Sequence, residues 1–142
     1  MIQRIQTVYI LIGVLVICGI TCLVPHRICD IPEANMYLFN SYAGLIWLIL
    51  FCINSLISIL QYSNRRKQLI YVNGNLISIV LLLLILFFFD YFNLTRNLIF
   101  NQIDSRNWIF YIGFVVAFIF FLLAKKSIKK DEELINSINR LR

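Results

Sequence analysis

Four apolar stretches of membrane-crossing length alternate along this chain with short polar segments, and that pattern decides what the polypeptide can fold into. A hydrocarbon core of about 30 Å takes roughly 20 helical residues to cross. Inside lipid every backbone N–H and C=O must be satisfied within its own segment, so runs of this length read as helices. The spans are read at 5–24, 42–60, 69–92 and 108–124, followed by a tail over 125–142. Four crossings consume most of the 142 residues, so the chain reads as one all-α, four-helix membrane domain whose loops only connect. A hydrophobic content of 61% favours this class over an ordinary soluble domain.

Boundary residues support the division. The first span stops at Pro25, His26 and Arg27. Ile17 precedes Cys18 and Thr21 precedes Cys22, so no small-residue cleavage site follows the apolar run, and the segment reads as a retained helix. The second span runs into a polar turn with Arg65, Arg66 and Lys67, which makes a helical hairpin. Asn73-Gly74-Asn75 reads either as a turn or as the polar start of the third span. A start at Leu76 would leave only the run to Phe89 before Asp90, so the earlier start at Leu69 is preferred. No Gly or Pro follows Ala124, and the fourth helix is expected to continue out of the bilayer.

The chain carries 13 Lys and Arg and a net charge of +6. Ten of the 13, namely Arg4, Arg65, Arg66, Lys67, Lys125, Lys126, Lys129, Lys130, Arg140 and Arg142, fall on one side of the four spans. Only Arg27, Arg96 and Arg106 fall on the other. Positive charge near span ends holds a loop on the cytoplasmic side, so both termini and the middle turn are predicted cytoplasmic. Tyr42, Tyr91, Trp108 and Tyr111 mark the outer interface, and Tyr9, Tyr62 and Tyr71 the inner one. Bases placed beside spans meet lipid headgroups, so membrane lipids are the expected partners and nucleic acid is not.

Lipid tails are as apolar as leucine, so close packing and inter-helix hydrogen bonds must hold such helices together. If the second and third helices run antiparallel about Arg65, residues whose numbers sum to about 130 share a depth. Asn54 with Asn75, Ser55 with Asn75, Cys52 with Ser78, and Ser58 with Asn73 come close to this, predicting a polar seam between the two helices. The functional alternative is a polar pathway for a solute. Gly113 and Ala117 form a small-xxx-small step that would admit a close neighbour.

A search for catalytic chemistry finds little. Four cysteines, Cys18, Cys22, Cys29 and Cys52, invite comparison with membrane thiol oxidoreductases, yet no Cys-x-x-Cys occurs and only Cys29 is placed to be wet. Buried cysteines acting as small apolar side chains are the plainer reading. His26 with Cys29, Asp30 and Glu33 does not make an organised metal shell. Asp90 sits beside Tyr91 and Asn93 near the outer end of its span, where an interfacial carboxylate is a better reading than a proton-coupling one. No catalytic residue, cofactor or metal is assigned, and the protein is expected not to be an enzyme.

The tail is the most patterned soluble segment. At 100° per residue Ile128, Leu134, Ile135, Ile138 and Leu141 span an arc of about 140°, with Lys129, Glu132, Glu133, Asn136 and Arg140 opposite. Asp131 and Arg142 intrude on the apolar arc. The tail therefore reads as a cytoplasmic amphipathic helix, expected to pack on the bilayer surface or on the protein's own turn, with a partner protein as the alternative.

The two ends of the chain carry a family likeness. The opening Met1-Ile2-Gln3-Arg4-Ile5-Gln6-Thr7, with the closing Lys129-Lys130-Asp131-Glu132-Glu133-Leu134-Ile135, Ser137 and Arg140-Leu141-Arg142, resembles the bacterial "domain of unknown function 4293" family of small four-span proteins. The resemblance implies a bacterial inner-membrane protein without a known activity and adds no catalytic residue. Because both matching parts are expected on the cytoplasmic side, Gln3, Arg4, Gln6, Lys129, Lys130, Asp131, Glu132, Glu133 and Arg140 form the candidate contact surface, with Arg4 reaching Asp131 or Glu132. The expected role is a non-enzymatic accessory or scaffolding subunit of a larger membrane protein complex. A small transporter or oligomeric channel component is the alternative, and homo-oligomerisation stays open.

Overall fold

The computed structural model describes residues 2–23, 42–96 and 105–140. They form four helices, α1 (Ile2–Leu23), α2 (Tyr42–Leu60), α3 (Arg65–Arg96) and α4 (Ser105–Arg140), and each contains a run long and apolar enough to cross a membrane. The protein is a multi-pass, all-helical membrane bundle.

Its four helices close into a ring. α1 packs most extensively on α4, α4 on α3, α3 on α2, and α2 least on α1. Neighbours run antiparallel: Gln6 meets Asp131 at one end of the α1–α4 pair, while Ile20 packs against Gly113 towards the other.

The packing repeat is written in which residues are buried. Along α4 these are Phe110, Phe114, Ala117, Phe121, Ala124, Ile128 and Asp131, with steps that alternate between four and three. Along α3 the same alternation links Gln68, Val72, Asn75, Ile79, Leu82 and Leu86. Phe51, Ser55 and Ser58 continue it on α2, and Gln6, Ile10, Gly13 and Ile17 on α1. A mean step of 3.5 residues keeps one seam facing its neighbours when helices coil left-handedly at about 20° to one another.

Two glycines bring α1 and α4 together. A Cβ on Gly13 would stand 2.8 Å from the Phe121 ring, and a Cβ on Gly113 would overlap the Ile20 side chain. Each glycine thus receives a large side chain from the opposite helix, which is the close approach small residues permit in lipid. The core centre is aromatic. Trp47 stacks on Phe51 with centroids 5.2 Å apart, and Phe51 meets Phe121 edge-on at 5.5 Å, so side chains alone carry α2 across the bundle to α4.

Helix bounds differ from the spans read from hydropathy. α3 begins at Arg65 and passes through Asn73-Gly74-Asn75 without a break, and the Asn75 amide has its partners in the neighbouring helix and not in a turn. The reversal before it is a single 3₁₀ turn, Gln61–Ser63, followed by Asn64. Asn64 donates its N–H to the Gln61 carbonyl, and its own carbonyl accepts from the Gln68 N–H at 3.0 Å, which starts α3. α4 is continuous for 36 residues, about 54 Å at 1.5 Å per residue. The tail stripe is consequently split. Ile128 is fully buried in the bundle, whereas Leu134 and Ile135 are 46% and 42% exposed, so the stripe does not fold back onto the protein as a unit. His26, Cys29, Asp30 and Glu33 lie outside the described residues, as do the side chains of Gln3, Arg4, Asp90 and Arg140.

Candidate functional site

One end of the bundle gathers Arg65, Arg66, Lys67 and four lysines of α4, and here the seams finish in a polar layer. Asp131 occupies the last described seam step of α4 and is 5% exposed. Its Oδ2 accepts from Gln6 Nε2 at 2.5 Å and from Arg65 Nη1 at 2.5 Å. Three helices are thereby tied at one oxygen. Arg66 reaches Glu132 at 3.4 Å in a solvent-exposed pair, which contributes little.

Local electrostatics explain the arrangement. Three cations in the first turn of α3 oppose the positive end of its helix dipole, so that terminus favours a nearby negative charge. Asp131 and Glu132 supply it from α4. Taking a carboxylate and a guanidinium out of water costs free energy that only a close, hydrogen-bonded pair offsets. Gln6 adds the second donor. Lys129, Lys130 and Glu133 are exposed on the outer faces of α4.

The contact expected from Arg4 to Asp131 or Glu132 falls on a side chain outside the described residues. Among the described residues, Asp131 pairs with Arg65 and Glu132 with Arg66, because the α2–α3 turn places these two residues beside α4 at the depth of its final buried layer. Gln6 does meet the tail. Arg65 was read only as turn and topology signal, and its role as a buried partner was missed. The signal that could have found it is the placement of Asp131, a carboxylate falling on the apolar side of an amphipathic stripe, which requires a cation.

The second polar centre lies between α2 and α3. Asn54 Nδ2 donates to Asn75 Oδ1 at 2.6 Å and to the Tyr71 carbonyl at 3.2 Å. Asn75 Nδ2 donates to Ser55 Oγ at 2.9 Å, and Ser55 Oγ donates to the Phe51 carbonyl at 2.8 Å. Two of the other equal-depth pairs are not formed. Ser78 Oγ donates to the Asn75 carbonyl in its own helix, and Cys52 faces Cys18 of α1 with sulfurs 3.8 Å apart. Ser58 Oγ is buried without a hydrogen-bond partner, so it does not pair with Asn73. Equal depth fixes height along the bundle but not the face of the helix. Position 73 falls one step outside the α3 seam, on the side turned towards α4.

Both centres spend their polar groups on holding helices together. Among the described residues no group of three or more His, Cys, Asp or Glu is placed to hold a metal ion. A family model described as Domain of unknown function (DUF4293) matches residues 2–141. The chain belongs to this family. No curated protein and no solved structure matches it. The match spans all four described helices, so the DUF4293 unit here is the whole bundle together with the extended α4. This DUF4293 member is an integral membrane protein whose buried polar residues act on its own architecture.

Proposed function

We propose that this protein is a non-enzymatic accessory or scaffolding subunit of a larger complex in a bacterial inner membrane, working through the end of the bundle that holds Asp131. Both termini and the α2–α3 turn are assigned to the cytoplasm, because ten of the 13 Lys and Arg belong to that side. The observation that carries the reading is the course of α4. It is held by Asp131 across three helices and then continues as helix, with Leu134 and Ile135 exposed beyond the last buried layer. An arm fixed at its base and apolar along one side suits docking of an amphipathic partner helix.

No catalytic role is proposed. Asn54, Asn75 and Ser55 of the α2–α3 seam are bonded to one another, and the carboxylate of Asp131 is bonded to Gln6 and Arg65. The test is purification of the full chain in mild detergent and identification of what travels with it. The reading expects a membrane complex that is retained by the unaltered chain and lost with Leu134→Asp and Ile135→Asp together. Recovery of the chain alone, or equal retention by that variant, contradicts it.

A further inference from the structure

The cysteines read from the sequence as small apolar side chains, yet the fold sets two of them face to face. Cys18 of α1 and Cys52 of α2 bring their sulfurs to 3.8 Å across the α1–α2 contact. Both are free thiols and each is half-buried, so neither is sealed inside the core. Cys22 stands one turn from Cys18 on the same helix and is exposed. A disulfide holds its sulfurs about 2.05 Å apart, so this pair must approach by roughly 1.8 Å to join. α1 and α2 are the neighbours that pack least on each other, which makes their contact the one in the ring with most freedom to close by that amount.

We propose that Cys18 and Cys52 are a redox-active pair that forms an inter-helix disulfide, with a lipid-soluble quinone as the oxidant. The two Sγ–H bonds break, one Sγ–Sγ bond forms, and two electrons with two protons pass to the two quinone oxygens to give the hydroquinone. Position decides the class of oxidant. Cys18 and Cys52 lie inside the membrane-crossing runs Ile5–Leu23 and Tyr42–Ser63, and the nearest end of either run, Leu23, is about 7.5 Å of helix away from Cys18. A charged, water-borne disulfide such as oxidised glutathione reaches the pair only by entering hydrocarbon, whereas a quinone dissolves there. The bond joins α1 to α2 covalently and locks the ring at its least packed contact, and reduction reopens it. This pair does not depend on what docks at Leu134 and Ile135 or on which face of the membrane is cytoplasmic.

Thiol counting on the full chain in phosphatidylcholine vesicles provides the test. The vesicles are exposed to duroquinone, whose fully substituted ring resists addition of thiols, and the chain is then unfolded in detergent with N-ethylmaleimide and weighed by mass spectrometry. The chain has four cysteines. Two maleimides in place of four are expected, with Cys18 linked to Cys52 in the peptide map, and dithiothreitol should restore all four. Cys18→Ser and Cys52→Ser should each leave the three remaining thiols free after the same treatment. Cys22→Ser and Cys29→Ser should each retain the bond. Oxidised glutathione in place of duroquinone should leave four free thiols. Four maleimides after duroquinone, a bond that maps to Cys22 or Cys29, or equal oxidation by glutathione would overturn the assignment.

Discussion

The α1–α4 and α2–α3 interfaces solve one problem with different means. Between α1 and α4 the helices approach through glycine, with Phe121 over Gly13 and Ile20 over Gly113, and the contact closes at its end on the Asp131 cluster. Between α2 and α3 the contact is a run of amides and hydroxyls centred on Asn75. Packing and hydrogen bonding are the two forces left to helices in a solvent as apolar as themselves. The difference shows in what each interface tolerates. A glycine-mediated contact should fail when side chains grow, and a hydrogen-bonded one when a polar atom is removed.

The largest expected effect falls on the cluster that joins three helices. Asp131→Ala leaves a buried guanidinium and an amide without their acceptor, at a cost of about 2–3 kcal/mol once the partial exposure of Arg65 is allowed for. Reversible unfolding in mixed detergent micelles would measure it. Arg65→Asp combined with Asp131→Arg should recover part of the loss, and no recovery would mean that the pair does not act directly. Next is Gly13→Leu, which drives a side chain into the Phe121 ring and should cost about 1–3 kcal/mol by overpacking. Gly19 has open space around its Cβ position, so Gly19→Leu in the same helix should be near neutral, and equal losses at the two sites would break the contrast.

Smaller effects belong to α2–α3. Asn75→Leu removes two side-chain hydrogen bonds at about 0.6 kcal/mol each, near 1 kcal/mol in all. A loss of 3 kcal/mol would make the amide seam the main brace of the bundle and reverse the comparison. Smallest is Ser58→Ala. Its hydroxyl is buried with no partner, so the change is expected to be neutral or slightly stabilising, and a loss above about 1 kcal/mol would show that Ser58 has found one.

Legibility in the sequence followed contrast. The four spans stood out because apolar runs are bounded by charge. Asn54, Ser55 and Asn75 stood out because amides in a leucine-rich background need partners, and the short turn at Arg65 fixed their common depth. The seams were hidden. Leu15 faces outward and Ile17 inward with nearly the same chemistry, so a membrane helix carries no polar–apolar period to read. What marks the seam of α4 instead is the placing of Phe, Ala and Asp at steps of four and three, a pattern of size and charge. Asp131 looked like an exception on an amphipathic stripe counted at 100° per residue. Counted at 3.5 residues per turn it is the next member of the row that holds Ala124 and Ile128. The tail stripe is divided for the same reason, since Ile128 belongs to the bundle while Leu134 and Ile135 lie beyond it.

The most direct test of the bundle is a disulfide between α1 and α4. The Cβ position at Gly113 stands 3.7 Å from Ile20 Cβ, within the range of about 3.5–4.5 Å that a disulfide bridges. In a chain whose native cysteines are replaced by serine, Ile20→Cys with Gly113→Cys should cross-link in intact membranes under a mild membrane-permeant oxidant. Leu15→Cys with Gly113→Cys, in which the α1 residue faces lipid, should stay reduced. Absence of the first cross-link, or its appearance to the same extent in the second pair, would contradict the packing of α1 on α4.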